Sequence, residues 1–425
     1  MLRFFARVKG KQGQFARNVL TLMTGTTIAQ AIPLAAMPIL TRLYEPEDFG
    51  VLALYMSVAA MISVVATARY ELAVMLPEKN DDAASLVVLA ISIAAVISFV
   101  LFILVLAFNE PIQGFFGVPA IGPWLYLLPV SVFVAGLWQS LNYWNNRAAN
   151  FRRLAVSRMV QGGGMTSAQL GLSSMAGGGL ILGYIVGQAV AASVFLSKKW
   201  GEDRAILHAV TLDKIRKNAK EYIKFPKYSC AGALLDNAAI QMPVLILSKF
   251  NTAHVVGVFS LMFRALNLPM SLISAALSQV LFQKLVGLHR EAPERLFGFV
   301  LKVFIVLLML MVPLVLVVWF LGPELFSFVF GEAWRDAGGY AAILIFAVAI
   351  RFAVSPLSMV LAMEHNVRMG TLWQCIYFVT IISTLYIFKG AELGTFILAF
   401  TVHEISLYFL YFCFILLGTK QHSFR

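Results

Sequence analysis

The chain has 425 residues, of which 60% are hydrophobic and 13% are charged. This composition excludes a sizeable water-soluble domain and is typical of a protein that crosses a membrane many times. The formal net charge is +12, but the basic residues follow no DNA- or RNA-binding pattern, so we expect no nucleic-acid partner. Anionic membrane lipids are the expected partner of these charges.

About twelve apolar segments follow one another along the chain, each of roughly 18–27 residues and long enough to cross a membrane as a helix. The predicted spans are 18–42, 48–68, 83–108, 123–146, 154–174, 178–197, 228–249, 254–281, 298–321, 337–362, 368–388 and 392–417. The links on the outer side are too short to form a folded periplasmic domain. We therefore predict an all-α polytopic membrane protein.

The basic residues are concentrated in alternate links between these spans. Twenty-seven of the 33 Lys and Arg lie in the odd-numbered gaps, which include both termini, or within five residues of them. The even-numbered gaps and the span ends beside them hold four, which are Arg42, Lys249, Arg335 and Lys389. This is the positive-inside pattern. It predicts a multi-pass protein of the bacterial inner membrane with an even number of spans and both termini in the cytoplasm.

One cytoplasmic link, residues 198–227, is unusually long and polar. Its apolar residues Leu212, Ile215 and Ala219 recur at helical spacing, followed by Tyr222 or Ile223, and lysines occupy the other faces. This pattern predicts an amphipathic helix on the anionic inner leaflet. The link divides the chain into an N-terminal lobe, 1–197, and a C-terminal lobe, 228–425.

The two lobes share an internal repeat. Residues 41–43 and 49–54 resemble residues 248–250 and 256–261 at a constant offset of 207 positions. An offset of six spans restores the same membrane orientation, so the halves are predicted to be related by pseudo-two-fold symmetry along the membrane normal. Two six-helix lobes around a midplane cavity are the architecture of alternating-access transporters.

The sequence contains no pattern that indicates a disulfide, a metal site or an enzyme active site. The three cysteines, Cys230, Cys375 and Cys413, lie in predicted spans and form no CxxC pair, so we expect no disulfide, metal site or cofactor. Walker A, HExxH and Gly-x-Ser-x-Gly motifs are absent from the sequence. We therefore expect a protein that is not an enzyme.

Four stretches resemble a known family. They are ILTRLYEPEDFG (39–50), ATARYELA (66–73), FPKYS (225–229) and RALNLP (264–269). Together they are similar to the bacterial polysaccharide exporters of the multidrug/oligosaccharidyl-lipid/polysaccharide (MOP) superfamily. The resemblance implies a twelve-helix flippase that moves an undecaprenyl-diphosphate-linked oligosaccharide from the inner to the outer leaflet for O-antigen, capsule or exopolysaccharide synthesis. It also implies polysaccharide polymerase and chain-length proteins as partners.

Other functions of the same architecture stay open at this point. A lipid II flippase or a cation-coupled drug antiporter would share the fold. A drug antiporter favours carboxylates in its cavity, and a membrane glycosyltransferase or polymerase needs a large extramembrane loop, which this chain lacks. An ion gradient is the expected driving force, since no ATP-binding motif is present.

Two arginines lie deep in predicted spans and are the first candidates for substrate binding. Arg264 is in span eight and Arg351 in span ten. A charge at such depth costs at least ~2.5 kcal/mol on insertion scales, so it should face protein or water. Guanidinium groups donate paired hydrogen bonds to phosphate, which favours a diphosphate contact. The alternative is an ion pair or carbonyl cap that joins two helices.

Three further residues could bind and release a coupling ion. Asp236 lies inside span seven, and His403 and Glu404 lie in span twelve. Desolvated carboxylates and imidazoles exchange protons readily. The alternative for each is a static role, as an ion-pair partner of a buried arginine or a packing contact at a helix seam.

The inner ends of the spans supply candidates for a gate or an entrance. Arg69 and Glu71 end span two, and two residues apart on a helix they do not face one another, so each needs a separate partner. The alternative to a gate contact for this pair is interfacial anchoring. Arg147 lies at the end of span four and is followed by Arg152, Arg153 and Arg158. These cations are expected to attract an anionic headgroup or to set topology alone.

Overall fold

The computed structural model describes residues 11–196, 210–362 and 367–420, and every regular element in these ranges is helical. The chain forms two compact units, Met1–Gln241 and Met242–Arg425. The helices of the first unit are α1 (Lys11–Leu43), α2 (Pro46–Ser63), α3 (Tyr70–Ala73), α4 (Asn80–Phe116), α5 (Gly122–Leu125), α6 (Leu128–Arg147), α7 (Phe151–Gly171), α8 (Gly177–Leu196) and α9 (Leu212–Glu221). Helix α10 (Cys230–Phe250) begins in the first unit and ends in the second, which contains α11 (Ala253–Glu291), α12 (Leu296–Phe330), α13 (Arg335–Val354), α14 (Val367–Ile387) and α15 (Leu393–Lys420).

Within these ranges, nine helices are long and apolar enough to cross a membrane. The bent pair α5–α6, with a 56° break, makes a tenth if it counts as one span. The other two predicted spans, 48–68 and 154–174, correspond to α2 and α7. Helix α7 is the more polar of the two, since it carries three arginines. Each predicted span thus contains a helix, although α2 ends at Ser63, five residues before the predicted end of span 48–68. The all-α polytopic fold class is confirmed.

Helix α4 is much longer than the span predicted within it. The predicted span ends at Phe108, where the backbone leaves helical geometry (φ −127°, ψ 25°), and the helix then resumes through Pro111 to Phe116. A proline lacks the N–H that the preceding turn needs, so it bends the helix at this point. The apolar span and its polar extension therefore form one kinked helix.

The internal repeat is visible in the helix boundaries. Helix α1 ends at Leu43 and α2 begins at Pro46, while α10 ends at Phe250 and α11 begins at Ala253, each boundary displaced by 207 positions. Both second helices are capped at the preceding residue, by a capping box at Glu45 and by Thr252, whose hydroxyl accepts from a backbone N–H.

Glycines allow α1 and α7 to pack closely in the first unit. A Cβ at Gly25 would lie 2.4 Å from the Cβ of Ala155, and one at Gly162 would lie 2.2 Å from the carbonyl oxygen of Ala29. Real side chains do not approach so closely, so these positions need glycine for the two helices to meet. This contact brings the polar residues of α7 against α1.

The amphipathic helix expected in the long cytoplasmic link is present as α9, while residues 197–209 lie outside the described part. Thr211 caps its N-terminus, and buried Asn218 donates to the Ser85 hydroxyl at 2.6 Å. Ala219 and Tyr222 pack against the core of the first unit. Helix α9 thus associates with the first unit, and the boundary between compact units falls inside α10. The division into lobes at 198–227 stays a prediction.

Candidate functional site

A buried polar cluster joins α13, α14 and α15 in the second unit. Its members, here called the α13–α15 cluster, are Arg351, Tyr377, Thr380, His403 and Glu404. The Tyr377 hydroxyl donates to Glu404 Oε1 at 2.7 Å, and Arg351 Nη1 lies 4.0 Å from Glu404 Oε2. His403 Nδ1 lies 3.6 Å from Glu404 Oε1, while its Nε2 shares a hydrogen bond of 3.0 Å with Thr380. Two candidate coupling residues and one candidate substrate-binding residue therefore meet at one site.

Burial differs sharply within the cluster. The side chain of Glu404 is 4% exposed, whereas that of Arg351 is 41% exposed. A carboxylate out of water is costly unless it is paired and hydrogen-bonded, and Tyr377 and Arg351 provide both contacts. Arg351 keeps an accessible side from which it can reach a second anion.

Aromatic rings form one wall of the α13–α15 cluster. The Arg351 guanidinium lies 5.6 Å from the ring centre of Tyr408, within the range of a cation–π contact. Trp373 stacks on Tyr411 at 3.9 Å and donates its indole N–H to the carbonyl of Leu407. These contacts fix α14 against α15, so the polar groups are held on a rigid framework.

Three of the residues that build this site were not predicted from the sequence. Tyr377, Thr380 and Tyr408 are ordinary apolar-segment residues in sequence, but Trp373, Tyr377 and Thr380 follow the four-and-three spacing of one helix face. On α15, Glu404 and Tyr408 are also four apart. On each of these two helices a polar residue shares one face with aromatic residues, and this spacing was the feature of the sequence that could have indicated the site.

The other two deep candidates lie elsewhere. Arg264 is partly buried on α11, five residues before the helix-interior Pro269. Asp236 is exposed on α10, and its carboxylate forms no ion pair or hydrogen bond with any residue in the described part of the chain. The acidic partner of Arg351 is Glu404.

Arg69 and Glu71 form an ion pair, which corrects the expectation that each needs a separate partner. Residues 64–69 leave the helix, and Ala68 and Arg69 adopt left-handed backbone angles (φ 48° and 62°). This turn brings Arg69 Nη1 to 3.4 Å from Glu71 Oε1. The expectation was wrong because it assumed a continuous helix across a segment that the chain breaks.

Glu71 is almost fully enclosed at the end of this turn. It is 1% exposed, accepts a hydrogen bond from Thr67, and lies within electrostatic reach of Tyr143 and Cys230. Burial raises the pKa of Glu71 above its ordinary value, while the Thr67 hydrogen bond and the Arg69 charge act in the opposite direction. Non-glycine residues in the left-handed region carry strain and are enriched at functional positions, so this turn stays a candidate for the gate.

Arg147 is held by the loop between α3 and α4. It donates to the carbonyls of Val74 and Glu78, each at 3.2 Å, and to the side chain of Asn80. These contacts hold the loop against the end of α6. The role of Arg147 at an entrance stays a prediction.

Residues 39–338 match a protein family described as "Polysaccharide biosynthesis protein". The chain belongs to this family. No curated relative matches the chain.

Solved structures of MOP superfamily transporters share the fold. An inward-facing multidrug-resistance transporter of the MATE family superposes with a TM-score of 0.70 at 12% identity, over 94% of this chain and 95% of that one. The lipid II flippase MurJ in an inward closed conformation gives 0.70 at 14% identity, over 93% and 87%. A MOP superfamily transporter from Pyrococcus furiosus, described as having a binding pocket of reverse polarity, gives a TM-score of 0.60 at 13% identity, over 97% of this chain and 96% of that one.

These matches confirm two of the sequence-based interpretations. The family match confirms the resemblance to a polysaccharide family, and the fold is the two-lobe, twelve-helix fold shared with MOP superfamily transporters. At 12–14% identity the structural likeness shows the fold alone. The chain is thus a multi-pass membrane protein of a polysaccharide biosynthesis family with the fold of MOP superfamily transporters, and its substrate must be argued from its own residues.

Proposed function

We propose that this protein is a flippase that moves an undecaprenyl-diphosphate-linked oligosaccharide from the inner to the outer leaflet of the bacterial inner membrane, with both termini in the cytoplasm. The observation that carries the proposal is the family match, because it covers residues 39–338 and names polysaccharide biosynthesis. Polysaccharide polymerase and chain-length proteins would then be its partners. The cargo serves O-antigen, capsule or exopolysaccharide synthesis.

The α13–α15 cluster supplies a way to couple this transport to a proton gradient. Glu404 and an anionic substrate compete for the same guanidinium, because Arg351 has one side against Glu404 and another side exposed. Protonation of Glu404 removes the attraction between the carboxylate and Arg351 and frees the guanidinium for a diphosphate. Loss of that proton restores the ion pair and favours release. The distance of 3.6 Å between His403 and the carboxylate supports a role for the imidazole in proton transfer.

Reconstitution in vesicles tests the proposal directly. The purified full-length chain is placed in vesicles that contain a fluorescent polyprenyl-diphosphate-linked oligosaccharide, and movement between leaflets is followed by quenching from outside. Acceleration over protein-free vesicles that depends on an imposed pH gradient is the expected result. Movement of the lipid at the protein-free rate under every gradient would refute the proposed function.

The same assay separates the alternatives within the superfamily. The MurJ likeness makes a lipid II flippase the second candidate. Glu404, the acid of the α13–α15 cluster, is paired with Arg351. This pairing disfavours the cluster as a binding site for cationic drugs. Vesicles that flip lipid II but not the oligosaccharide lipid would favour the second candidate, and accumulation of a cationic dye would favour a drug antiporter.

A further inference from the structure

The arginines of the membrane-crossing helices differ in what surrounds them. Arg351 pairs with Glu404, and Arg153 is capped by the carbonyls of Val194 and Phe195 at 3.2 and 2.6 Å. Arg158, on α7, makes a single contact of another kind. Its Nη1 donates to the Thr26 hydroxyl of α1 at 2.6 Å.

Among the residues whose side chains the structure describes, no acid compensates the charge of Arg158. Its guanidinium forms no ion pair with these residues, and no charged group among them acts on it. A guanidinium offers five N–H donors, and the described residues use one of them. A partly buried cation in a membrane helix normally pairs with a carboxylate or with several carbonyls. Arg158 therefore has a charge and donors available for an anion.

Thr26 fixes the guanidinium in place without neutralising it. The Thr26 hydroxyl donates to the carbonyl of Leu22 at 2.8 Å, which leaves its oxygen free to accept from Arg158. The close packing of Gly25 on Ala155 holds α1 and α7 at this distance. The side chain is thus directed across to α1 and does not extend along its own helix.

Depth in the membrane indicates which anion fits. Arg158 lies four residues into the predicted span 154–174, which is about 6 Å from its inner end. On this prediction Arg158 lies at the level of the inner-leaflet headgroups, where lipid phosphates are concentrated. A lipid-borne phosphate group reaches this level, and a diphosphate offers more charge and more acceptor oxygens than a phosphodiester.

We infer that Arg158, oriented by Thr26, forms an inner-leaflet site for the diphosphate of a polyprenyl-linked cargo, separate from the α13–α15 cluster. This inference rests on the proposed function, because that function supplies a polyprenyl diphosphate as substrate. The site binds the headgroup through charge-assisted hydrogen bonds from the unused N–H donors of the guanidinium. No proton need be bound first, since no carboxylate in the described part of the chain pairs with this arginine.

The test is a binding measurement on the full-length protein in detergent, with undecaprenyl diphosphate as the probe. Arg158→Gln should weaken binding about ten-fold or more, because a hydrogen bond to a charged group contributes roughly one to two powers of ten in affinity. Arg158→Lys should fall between Arg158→Gln and the wild type, since it keeps the charge but loses the paired geometry. Thr26→Val should weaken binding less than Arg158→Gln.

Arg152→Gln is the matched control. Arg152 is exposed on the same helix and carries the same charge, so its loss should leave the affinity unchanged. Equal affinity of Arg158→Gln and wild type, or an equal loss in Arg152→Gln, would overturn the site. Competition by phosphatidylglycerol at the same concentration as undecaprenyl diphosphate would show an ordinary phospholipid site and would also overturn it.

The outcomes separate this inference from the proposed function. If the wild type neither binds undecaprenyl diphosphate nor flips the cargo, the proposed function itself is wrong. If the wild type flips the cargo and Arg158→Gln binds undecaprenyl diphosphate as tightly as the wild type, this inference alone is refuted.

Discussion

Removal of the Glu404 charge is the most direct test of the α13–α15 cluster. In Glu404→Gln the amide oxygen can still accept from Tyr377, so the hydrogen bond of 2.7 Å is kept and the attraction to Arg351 is lost. Two unit charges 4 Å apart attract by about 4 kcal/mol at an effective dielectric constant of 20. Because Arg351 is 41% exposed, water replaces much of that attraction, and we expect a coupling of ~1–2 kcal/mol.

A double-mutant cycle measures this coupling. Arg351→Gln should cost more than Glu404→Gln, on the order of 3 kcal/mol, because it leaves an almost fully buried carboxylate without its cation. The double variant should cost less than the sum of the two single variants by ~1–2 kcal/mol. The free energy of unfolding is measured by denaturant titration of the detergent-solubilised protein, with Ser406→Ala on the exposed side of α15 as the control. Additivity within ~0.5 kcal/mol would show that the two side chains are not coupled and would refute the competition for Arg351.

Three further predictions concern the framework of the molecule. Gly338→Ala should destabilise the second unit by ~1–3 kcal/mol, because its Cβ would lie 2.2 Å from the Gly322 carbonyl oxygen, while Gly339→Ala, with open space around it, should not lower the melting temperature. Asn218→Ala should increase cleavage of α9 in limited proteolysis, since it removes the buried hydrogen bonds to Ser85 and Asp82, whereas exposed Lys217→Ala should not. Arg147→Gln should expose the loop between α3 and α4 to protease, because three of its partners lie in residues 74–80, and cleavage at the wild-type rate would contradict that role.

The fold was largely predictable from the sequence, because apolar length and charge distribution are local properties. The span 154–174 was found from its apolar residues despite three arginines in its helix, and the offset of 207 positions marked boundaries that recur in the structure. The error at Arg69 and Glu71 had a specific cause. Left-handed backbone angles at Ala68 and Arg69 have no signal in sequence, since alanine and arginine favour helix.

The candidate site was less predictable, because the role of a charged residue depends on partners that are distant in sequence. Arg351 and Glu404 were each singled out, but their pairing required α13 and α15 to be adjacent. Tyr377 and Thr380 were missed because tyrosine and threonine are common in membrane helices. Arg158 was grouped with Arg152 and Arg153, and contacts alone separate the three: solvent for Arg152, carbonyls for Arg153 and one hydroxyl for Arg158.

Arg351 has an acidic partner and Arg158 has none among the described residues, and this difference predicts a different pH dependence for anion binding at each arginine. Arg158 pairs with no acid among the described residues, so this arginine should add little pH dependence to diphosphate binding. Arg351 has Glu404 as a competitor, so binding there should strengthen as the carboxylate becomes protonated. A substrate that meets both sites would bind the first without a proton and the second only with one. The pH dependence of transport would therefore arise in a step after the headgroup has bound at Arg158. In Arg158→Gln the apparent affinity for the lipid substrate should fall while the pH dependence of transport persists. In Glu404→Gln the pH dependence of transport should be lost while binding of the headgroup at Arg158 is retained.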